Sequence, residues 1–246
     1  MRHITLHIPI YFPERLYRFL ASAKKRFKRS ETAAPESSTL NLNGDRDIEW
    51  SWIGSQMPDG PGEALDFGPG RSFMALLAAE RGFRVTGVDL TITEYPYTHP
   101  NLSFVNDDLL ELGFSENRFD LILNCSTVEH VGLAGRYGVT KIRKDGDLEA
   151  MELLHRLLKP EGSMLLTIPV GKDAIFPPIC RVYGIERLPL LLEHYQIEKE
   201  IYWIKNSENK WEKTDKEMAL HFKALAGSWD AMQNIYALGC FVLRPC

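Results

Sequence analysis

The segment DFGPG (residues 66–70) and an acid that follows it have the types and spacing of a ligand site. The segment joins a predicted strand to a predicted helix, where glycines let the backbone turn tightly and let a ligand lie against it. Asp89 follows Gly70 by 19 residues, at the end of the next predicted strand. A carboxylate there can accept hydrogen bonds from both hydroxyls of a ribose. The pattern therefore indicates a site for a nucleoside.

The residue at the helix start argues against a dinucleotide. Dinucleotide folds use G-x-G-x-x-G, in which the third glycine permits close packing of helix on strand. Counted from Gly68, that position is Phe73, whose side chain does not permit such packing. A ligand that has a nucleoside but no pyrophosphate fits better, and S-adenosylmethionine is one.

Regular elements must position these residues. Short apolar runs predict five strands, alternating with helices, over residues 64–67, 84–88, 102–105, 119–123 and 163–168. This alternation predicts a parallel sheet with right-handed crossovers. A helix over 46–56 precedes the sheet, and a later helix that carries Met151 and Leu154 has Asp147 as its predicted N-cap. Two late strands, 195–204 and 238–243, enclose a polar loop and a helix.

The chain divides into a basic extension with its linker, residues 1–45, and an α/β domain, residues 46–246. Residues 14–29 carry +6, whereas the whole chain carries −4, so the remainder carries −10. The extension can form a basic amphipathic helix on an anionic membrane surface, pack on the domain, or remain a solvated tail. The acidic body argues against a nucleic-acid partner. Four cysteines without paired spacing indicate free thiols in a reducing cytoplasm.

Four motifs together resemble the class I S-adenosylmethionine-dependent methyltransferase superfamily. They are ALDFGPGRS, VTGVD, NDDLLELGFSENRFDLILNCSTVEHV and LLKPEGSMLLTIP, which follow one another within residues 63–170. The resemblance implies a Rossmann-like three-layer α/β sandwich whose seven-stranded, mostly parallel sheet has an antiparallel last strand. It also implies S-adenosyl-L-methionine as the cofactor, S-adenosyl-L-homocysteine as the product, and no metal.

The same resemblance implies which residues hold the cofactor. Asp89 would hold the ribose, and the other implied contacts fall on the glycine segment, the third strand end and the fourth strand end: Asp66, Gly68, Gly70, Asp108, Leu109, Asn124 and Ser126. Asp107 competes with its neighbour Asp108 for the adenine edge.

An oxygen or nitrogen acceptor whose proton must leave as the methyl group arrives needs a general base. His130 and Glu129 follow the fourth strand, and Asp173 follows the fifth, at the sheet edge where ligands bind. The pKa of an ordinary histidine suits this work near neutrality. His130 can equally be a structural histidine that bonds a backbone group. His155 lies on an apolar helix face, which favours a core or boundary position.

Acceptor contacts are expected from two segments. The Gly-rich, charged loop over residues 132–147 is long enough to be a binding loop or a solvated surface loop, and it offers Arg136 and Tyr137. Arg181 and Tyr183 follow the fifth strand, where the resemblance places acceptor contacts.

Three functions remain open from the sequence. The segments EHVGLAGRYG and PVGKD resemble those of methyltransferases that modify sugars and polysaccharides, which favours a small-molecule or glycan acceptor. An RNA or protein methyltransferase is an alternative, although Asn124-Cys125-Ser126-Thr127 stands where base-methylating enzymes carry an N-P-P-Y-type motif. A non-catalytic binding subunit is the third, although the glycine segment is intact. The sequence does not fix the oligomeric state.

Overall fold

The structure is a computed structural model and describes residues 46–92, 94–205, 208, 210–225 and 235–246. The predicted basic extension, residues 1–45, lies outside them, so the division into extension and domain stays a prediction. The helices are α1 Arg46–Gln56, α2 Met74–Glu80, α3 Gly146–Leu157, α4 Arg187–Leu191 and α5 Lys216–His221. The strands are β1 Gly62–Phe67, β2 Phe83–Asp89, β3 Leu102–Asn106, β4 Phe119–Cys125, β5 Leu158–Val170, β6 Ala174–Phe176, β7 Cys180–Val182, β8 Tyr195–Lys205, β9 Trp211–Thr214 and β10 Ala237–Pro245.

The main sheet, as far as the described residues show it, has eight strands in the order β3-β2-β1-β4-β5-β10-β8-β9. The five strands from β3 to β5 pair in parallel, whereas β10 is antiparallel to both β5 and β8. This topology confirms the predicted Rossmann-like α/β class and its antiparallel last strand. The predicted count of seven strands was too low by one, because β9 pairs antiparallel with β8 where a polar loop was expected.

Strand β4 shows why the sheet lies in the middle of three layers. Leu121 and Leu123 pack into the core beneath α1 and α2, whereas Ile122 between them packs into the core beneath α3. Successive side chains of a strand point to opposite faces, so a strand covered on both faces must be apolar throughout. The predicted apolar run therefore marks the centre of the domain.

Two local predictions need correction. Asp147 was predicted as the N-cap of α3, but Asp145 occupies the N-cap position and Asp147 lies inside the first turn with a fully buried side chain. The segment after β5 also forms an antiparallel hairpin of β6 and β7, which the sequence analysis did not predict. We call residues 174–182 the hairpin.

Candidate functional site

The glycine loop between β1 and α2 has the backbone that its sequence predicts. Gly68 and Gly70 have φ angles of 68° and 54°, in the left-handed region that favours glycine. The Gly68 N–H donates to the Val88 carbonyl (2.8 Å) and the Thr127 hydroxyl donates to the Gly68 carbonyl (3.2 Å). The loop is therefore fixed to the ends of both neighbouring strands.

Asp89, the last residue of β2, anchors the same loop from the side. Its Oδ2 accepts the Gly70 N–H (2.9 Å), and its Oδ1 accepts both the N–H (2.8 Å) and the hydroxyl (2.7 Å) of Thr91. These bonds fix the carboxylate at the rim of a cavity, where its remaining lone pairs can meet a ligand.

The cavity has a volume of about 780 Å³ and opens at the carboxyl ends of the parallel strands. That volume lies within the range of small-molecule sites. The structure brings most of the predicted site residues to its wall: Gly68, Gly70, Asp89, Asp108, Leu109, Ser126, His130 and Tyr137. They come from the ends of four different strands, so the shared edge of the sheet is what assembles them.

One end of the cavity is built by the turn after β3. Asp108 begins a 3-10 turn over Leu109–Glu111, and its Oδ1 accepts the Leu110 N–H (3.0 Å). Asp107 also lines the cavity, and its Oδ1 accepts the Asp108 N–H (2.8 Å). Both acids therefore face this end, and the geometry does not choose between them.

Three predicted residues are placed in the core instead. The described cavity wall does not include Asp66, Asn124 or Glu129, whose side chains are almost fully buried. Asn124 closes the turn after β4, since its Oδ1 accepts the Val128 N–H (3.3 Å). Asp66 lies in β1 just before the glycine loop. Burial and then the nearby Asp89 charge raise the pKa of Asp66 to about 7.

Asp173, Arg181 and Tyr183 make structural contacts rather than cavity contacts in the described residues. Asp173 accepts hydrogen bonds from the N–H groups of Gly184, Glu186 and Arg187 within 3.1 Å. Its side chain therefore caps the start of α4. Arg181 donates to backbone carbonyls, and the Tyr183 hydroxyl donates to Asp147 (3.1 Å). Arg181 and Tyr183 were predicted as acceptor contacts. In the structure both side chains are part of a buried network instead.

His130 is the predicted base that reaches the cavity with a defined orientation. Its Nδ1 lies 2.6 Å from the carbonyl oxygen of Ile179, at the turn of the hairpin. Because a carbonyl oxygen can only accept, Nδ1 carries the proton, and the Nε2 of the neutral ring carries a lone pair. The Glu129 Oε1 lies 3.8 Å from Nε2. This tautomer is the one that a general base needs.

The predicted binding loop covers the cavity. We call residues 131–145 the cavity loop. Tyr137 has a φ of 52°, which is unusual for a residue other than glycine, and its ring lies edge-on to His130 with 5.6 Å between centroids. The Arg136 guanidinium lies over the Tyr137 ring, 4.5 Å from its centroid, and donates to the Ile179 carbonyl (3.4 Å), outside the described cavity wall. Partial burial raises the pKa of the Tyr137 hydroxyl.

Helix α1 supplies cavity residues that the sequence analysis did not single out. Arg46 and Trp50 line the cavity, and Glu49 between them is fully buried beneath it. Positions i, i+3 and i+4 share one helix face, which is the signal that could have grouped them. The sequence predicts this helix with its observed bounds but does not tell which strand ends it meets.

The two glycines of the loop make a testable pair. A Cβ on Gly68 would lie 2.3 Å from Thr127 Cγ2, whereas one on Gly70 would lie 4.0 Å from its nearest described neighbour, the Gly68 oxygen. We expect Gly68→Ala to destabilise the domain by about 3 kcal/mol in urea denaturation, through strain and the clash. Gly70→Ala should cost about 1–2 kcal/mol, from the left-handed backbone alone.

The Thr127→Ser substitution is the control for the clash, because it removes Cγ2 and keeps the hydroxyl. Combined with Gly68→Ala, it should restore part of the lost stability, and combined with Gly70→Ala it should restore none. Equal stability of the two alanine variants would contradict this account of the loop.

The described residues contain no group of three or more His, Cys, Asp and Glu side chains placed to hold a metal ion. None of the helices in the described ranges is both long and apolar enough to cross a membrane.

Solved structures share this fold. The 1,6-didemethyltoxoflavin-N1-methyltransferase of Burkholderia thailandensis, solved with 1,6-didemethyltoxoflavin and S-adenosylhomocysteine bound, matches with a TM-score of 0.50 and 17% identity, covering 98% of this chain and 94% of that chain. A Listeria monocytogenes structure, provisionally named an S-adenosylmethionine-dependent methyltransferase, matches with a TM-score of 0.53 and 14% identity, covering 80% of this chain and 98% of that chain. At such identities the likeness is one of fold. At that level it confirms the resemblance to class I methyltransferases.

A curated relative gives a partial match in sequence. YqeM of Bacillus subtilis (strain 168), whose name gives it provisionally as a methyltransferase, is 26% identical over 128 residues. The match covers 49% of this chain and 47% of that protein, so the chain spans about half the length of this relative.

A family profile matches residues 101–226, just over half of the chain. The matched segment begins before β3 and contains the turn after β4, the cavity loop and the hairpin. The chain therefore belongs to the family described as "Caenorhabditis protein of unknown function, DUF268", and its described domain has the class I methyltransferase fold.

Proposed function

We propose that this chain is a methyltransferase that uses S-adenosyl-L-methionine and methylates an oxygen or nitrogen atom of a small molecule or glycan. The observation that carries the proposal is the meeting of the glycine loop, Asp89 and a cavity of about 780 Å³ at one edge of the sheet. A Cβ on Gly70 would come no closer than 4.0 Å to any described atom outside its chain neighbours, which leaves room for a ligand against the backbone. These features fit a nucleoside cofactor without a pyrophosphate.

Different residues of the cavity would contact different parts of the cofactor. Asp89 would accept hydrogen bonds from the ribose hydroxyls, and the turn at Asp108 and Leu109 would meet the adenine. The glycine loop and the end of β4, at Ser126, would lie along the methionine part. When bound, the cofactor supplies an electrophilic methyl group on sulfur, so the protein mainly has to align an acceptor with it.

We expect His130 and the cavity loop to contact the acceptor. His130 Nε2 can take the proton from an acceptor hydroxyl or amine, since Nδ1 is held by the Ile179 carbonyl (2.6 Å). Tyr137 presents a half-exposed ring beside this histidine, and such a ring can stack on a sugar or another flat acceptor. The cavity loop also encloses the site, which supports a small acceptor over a folded macromolecule.

The thermal stability of the protein with and without S-adenosylhomocysteine tests the proposal first. A ligand at 100 times its Kd adds about 2.7 kcal/mol to the free energy of unfolding. For a domain of this size that corresponds to about 5–10 °C in Tm. We expect this rise for the wild-type chain, no rise with NAD, and no rise with S-adenosylhomocysteine in Asp89→Ala.

Asp59→Ala is the matched control, because Asp59 is an exposed acid away from the described cavity wall. It should keep the full rise in Tm. If the wild-type Tm does not respond to S-adenosylhomocysteine, the enzyme proposal fails and the non-catalytic binding subunit takes its place.

A cytoplasmic location is part of the same proposal. Cys125, Cys240 and Cys246 are free thiols, and Cys240 is buried in the core. Free thiols are usual in a reducing compartment, which supports this location. Membrane-surface contact through residues 14–29 stays a proposal, to be tested by vesicle binding of the chain with and without residues 1–30.

A further inference from the structure

Two isoleucines on different segments adjoin the cavity and are left open to solvent. Ile92 follows Leu90 and Thr91, which line the cavity after β2, and it is 84% exposed. Ile142 follows Lys141, which lines the cavity from the cavity loop, and it is 77% exposed. These are the two highest exposures of any large apolar residue in the described ranges. Because each isoleucine is open to solvent and follows a residue of the wall, both lie at the mouth of the cavity.

Further apolar side chains extend this rim. Leu90 and Tyr137 line the cavity and are also exposed. Phe73 is exposed beside them in the wall and packs edge-on against Trp50, which lines the cavity, with 4.9 Å between the ring centroids. Exposed apolar residues that occur singly need no explanation, but a group of them around one opening marks a site of interaction.

The cavity loop adds positive charge beside Ile142. The loop carries four basic residues and one acid. That acid, Asp145, pairs with Arg187 (3.1 Å). Lys141 and Lys144 are exposed, and neither side chain makes an ion pair or a hydrogen bond in the described part of the chain. The loop therefore presents two ammonium groups without a paired acid, one on each side of Ile142 along the chain.

We propose that the mouth of the cavity docks on an anionic lipid surface. The residues that make the contact, which we call the mouth residues, are Ile92, Lys141, Ile142 and Lys144. The isoleucines insert at the boundary between headgroups and acyl chains, and the lysines meet the anionic headgroups. An exposed isoleucine beside a lysine fits a lipid surface better than a nucleic acid, which attracts the charge but offers no apolar layer.

The distribution of charge makes this docking local. The whole chain carries −4, so an anionic surface repels the protein as a whole. Attraction must therefore come from limited regions, and the mouth residues form one of them in the described domain. They are separate in sequence from the basic stretch at residues 14–29. Docking needs neither the cofactor nor methyl transfer, so it goes beyond the proposed function and can be tested even if that function fails.

Sedimentation of the full chain with vesicles of equal parts phosphatidylserine and phosphatidylcholine tests the apolar contact. We expect Ile92→Ser and Ile142→Ser each to raise the apparent Kd by about 10-fold, the lower end of what burying an isoleucine contributes. Ile185→Ser is the matched control, because Ile185 is 58% exposed but lies outside the described cavity wall. It should bind as wild type does.

The two lysines are tested together in the same assay. Lys141→Gln with Lys144→Gln should raise the apparent Kd by about 25-fold at low ionic strength, since each lysine near an anionic surface contributes about fivefold. Added salt should reduce the difference from wild type, because it screens the surface potential. The control is Lys172→Gln with Lys213→Gln, which changes two exposed lysines outside the described cavity wall. It should stay within about twofold of wild type.

Three results would overturn the proposal. Wild-type protein that does not sediment with these vesicles would show that the mouth binds no anionic lipid. Mouth variants that bind as tightly as wild type would assign the binding to another part of the chain, such as residues 14–29. Equal losses in the mouth variants and their controls would indicate a general attraction rather than a defined surface. Each variant changes exposed side chains and should keep the wild-type Tm within about 2 °C, which separates lost binding from lost folding.

Discussion

Replacing Asp147 with alanine is expected to lower the free energy of unfolding by about 3–5 kcal/mol, the usual cost of removing one partner from a buried ion pair. The Asp147 side chain is fully buried and accepts from the Tyr183 hydroxyl (3.1 Å) and from Arg187 Nη2 (2.6 Å). Arg181 Nε lies 3.5 Å away, and that side chain is only 1% exposed. The alanine would leave the Arg181 charge buried without a counter-ion.

Urea denaturation of Asp147→Ala beside Asp145→Ala checks this result. Asp145 pairs with the same Arg187 Nη2 (3.1 Å), but its side chain is 50% exposed. An exposed pair contributes less than about 1 kcal/mol, so Asp145→Ala should stay close to wild type. Similar losses of unfolding free energy in the two variants would show that the buried ion pair contributes no more to stability than the exposed one.

The network around Asp147 matters to the site because it joins the hairpin to the cavity loop. Arg181, in β7, donates to the carbonyl oxygens of Val131 (2.6 Å), Lys144 (3.1 Å) and Arg143 (3.2 Å). Both ends of the cavity loop are thereby held by one buried guanidinium, while the Ile179 carbonyl on the same hairpin orients His130. The hairpin therefore positions the proposed base and the proposed acceptor contacts together.

The parts of the fold that depend on local pattern were predictable. The bounds of α1, the apolar run of β4, the glycine loop and the placement of Asp89 follow from periodicity and from backbone freedom at Gly68 and Gly70. Each of these signals lies within one short segment of the chain. They also fix the strand ends at one edge, so eight of the predicted site residues line one cavity.

The remaining parts depend on contacts between distant segments. A strand end tells that a side chain lies near the site, but not whether it points into the cavity or into the core. Asp66 and Asn124 point into the core, and Asp173 turns to the backbone at the start of α4. Glu49 meets Thr167 across 118 residues, a contact that no local pattern encodes.

The stability of the wild-type protein is expected to fall between about pH 4 and pH 7 because of Asp66. Burial, and then the nearby Asp89 charge, raise its pKa in the folded chain from 3.8 to about 7, although the Ala75 N–H opposes the shift. Its Oδ2 has no hydrogen-bond partner among the described residues. The folded state therefore holds a proton that the unfolded state loses, which stabilises folding fully below about pH 4. That stabilisation disappears as the pH rises to about 7, a change of about 4 kcal/mol.

Asp66→Asn removes this titration and keeps an acceptor for the Ala75 N–H. The difference in unfolding free energy between wild type and Asp66→Asn, from urea denaturation at pH 4.5 and pH 8, should shift in favour of the variant by several kcal/mol at the higher pH. Asp107→Asn, an exposed acid at the cavity, should run parallel to wild type over the same range. If the difference in unfolding free energy between wild type and Asp66→Asn is the same at both pH values, Asp66 is ionised in the folded chain at both. The loop above it would then compensate its charge. The presence or absence of this shift thus tells whether Asp66, at the base of the glycine loop, is neutral or charged near neutral pH.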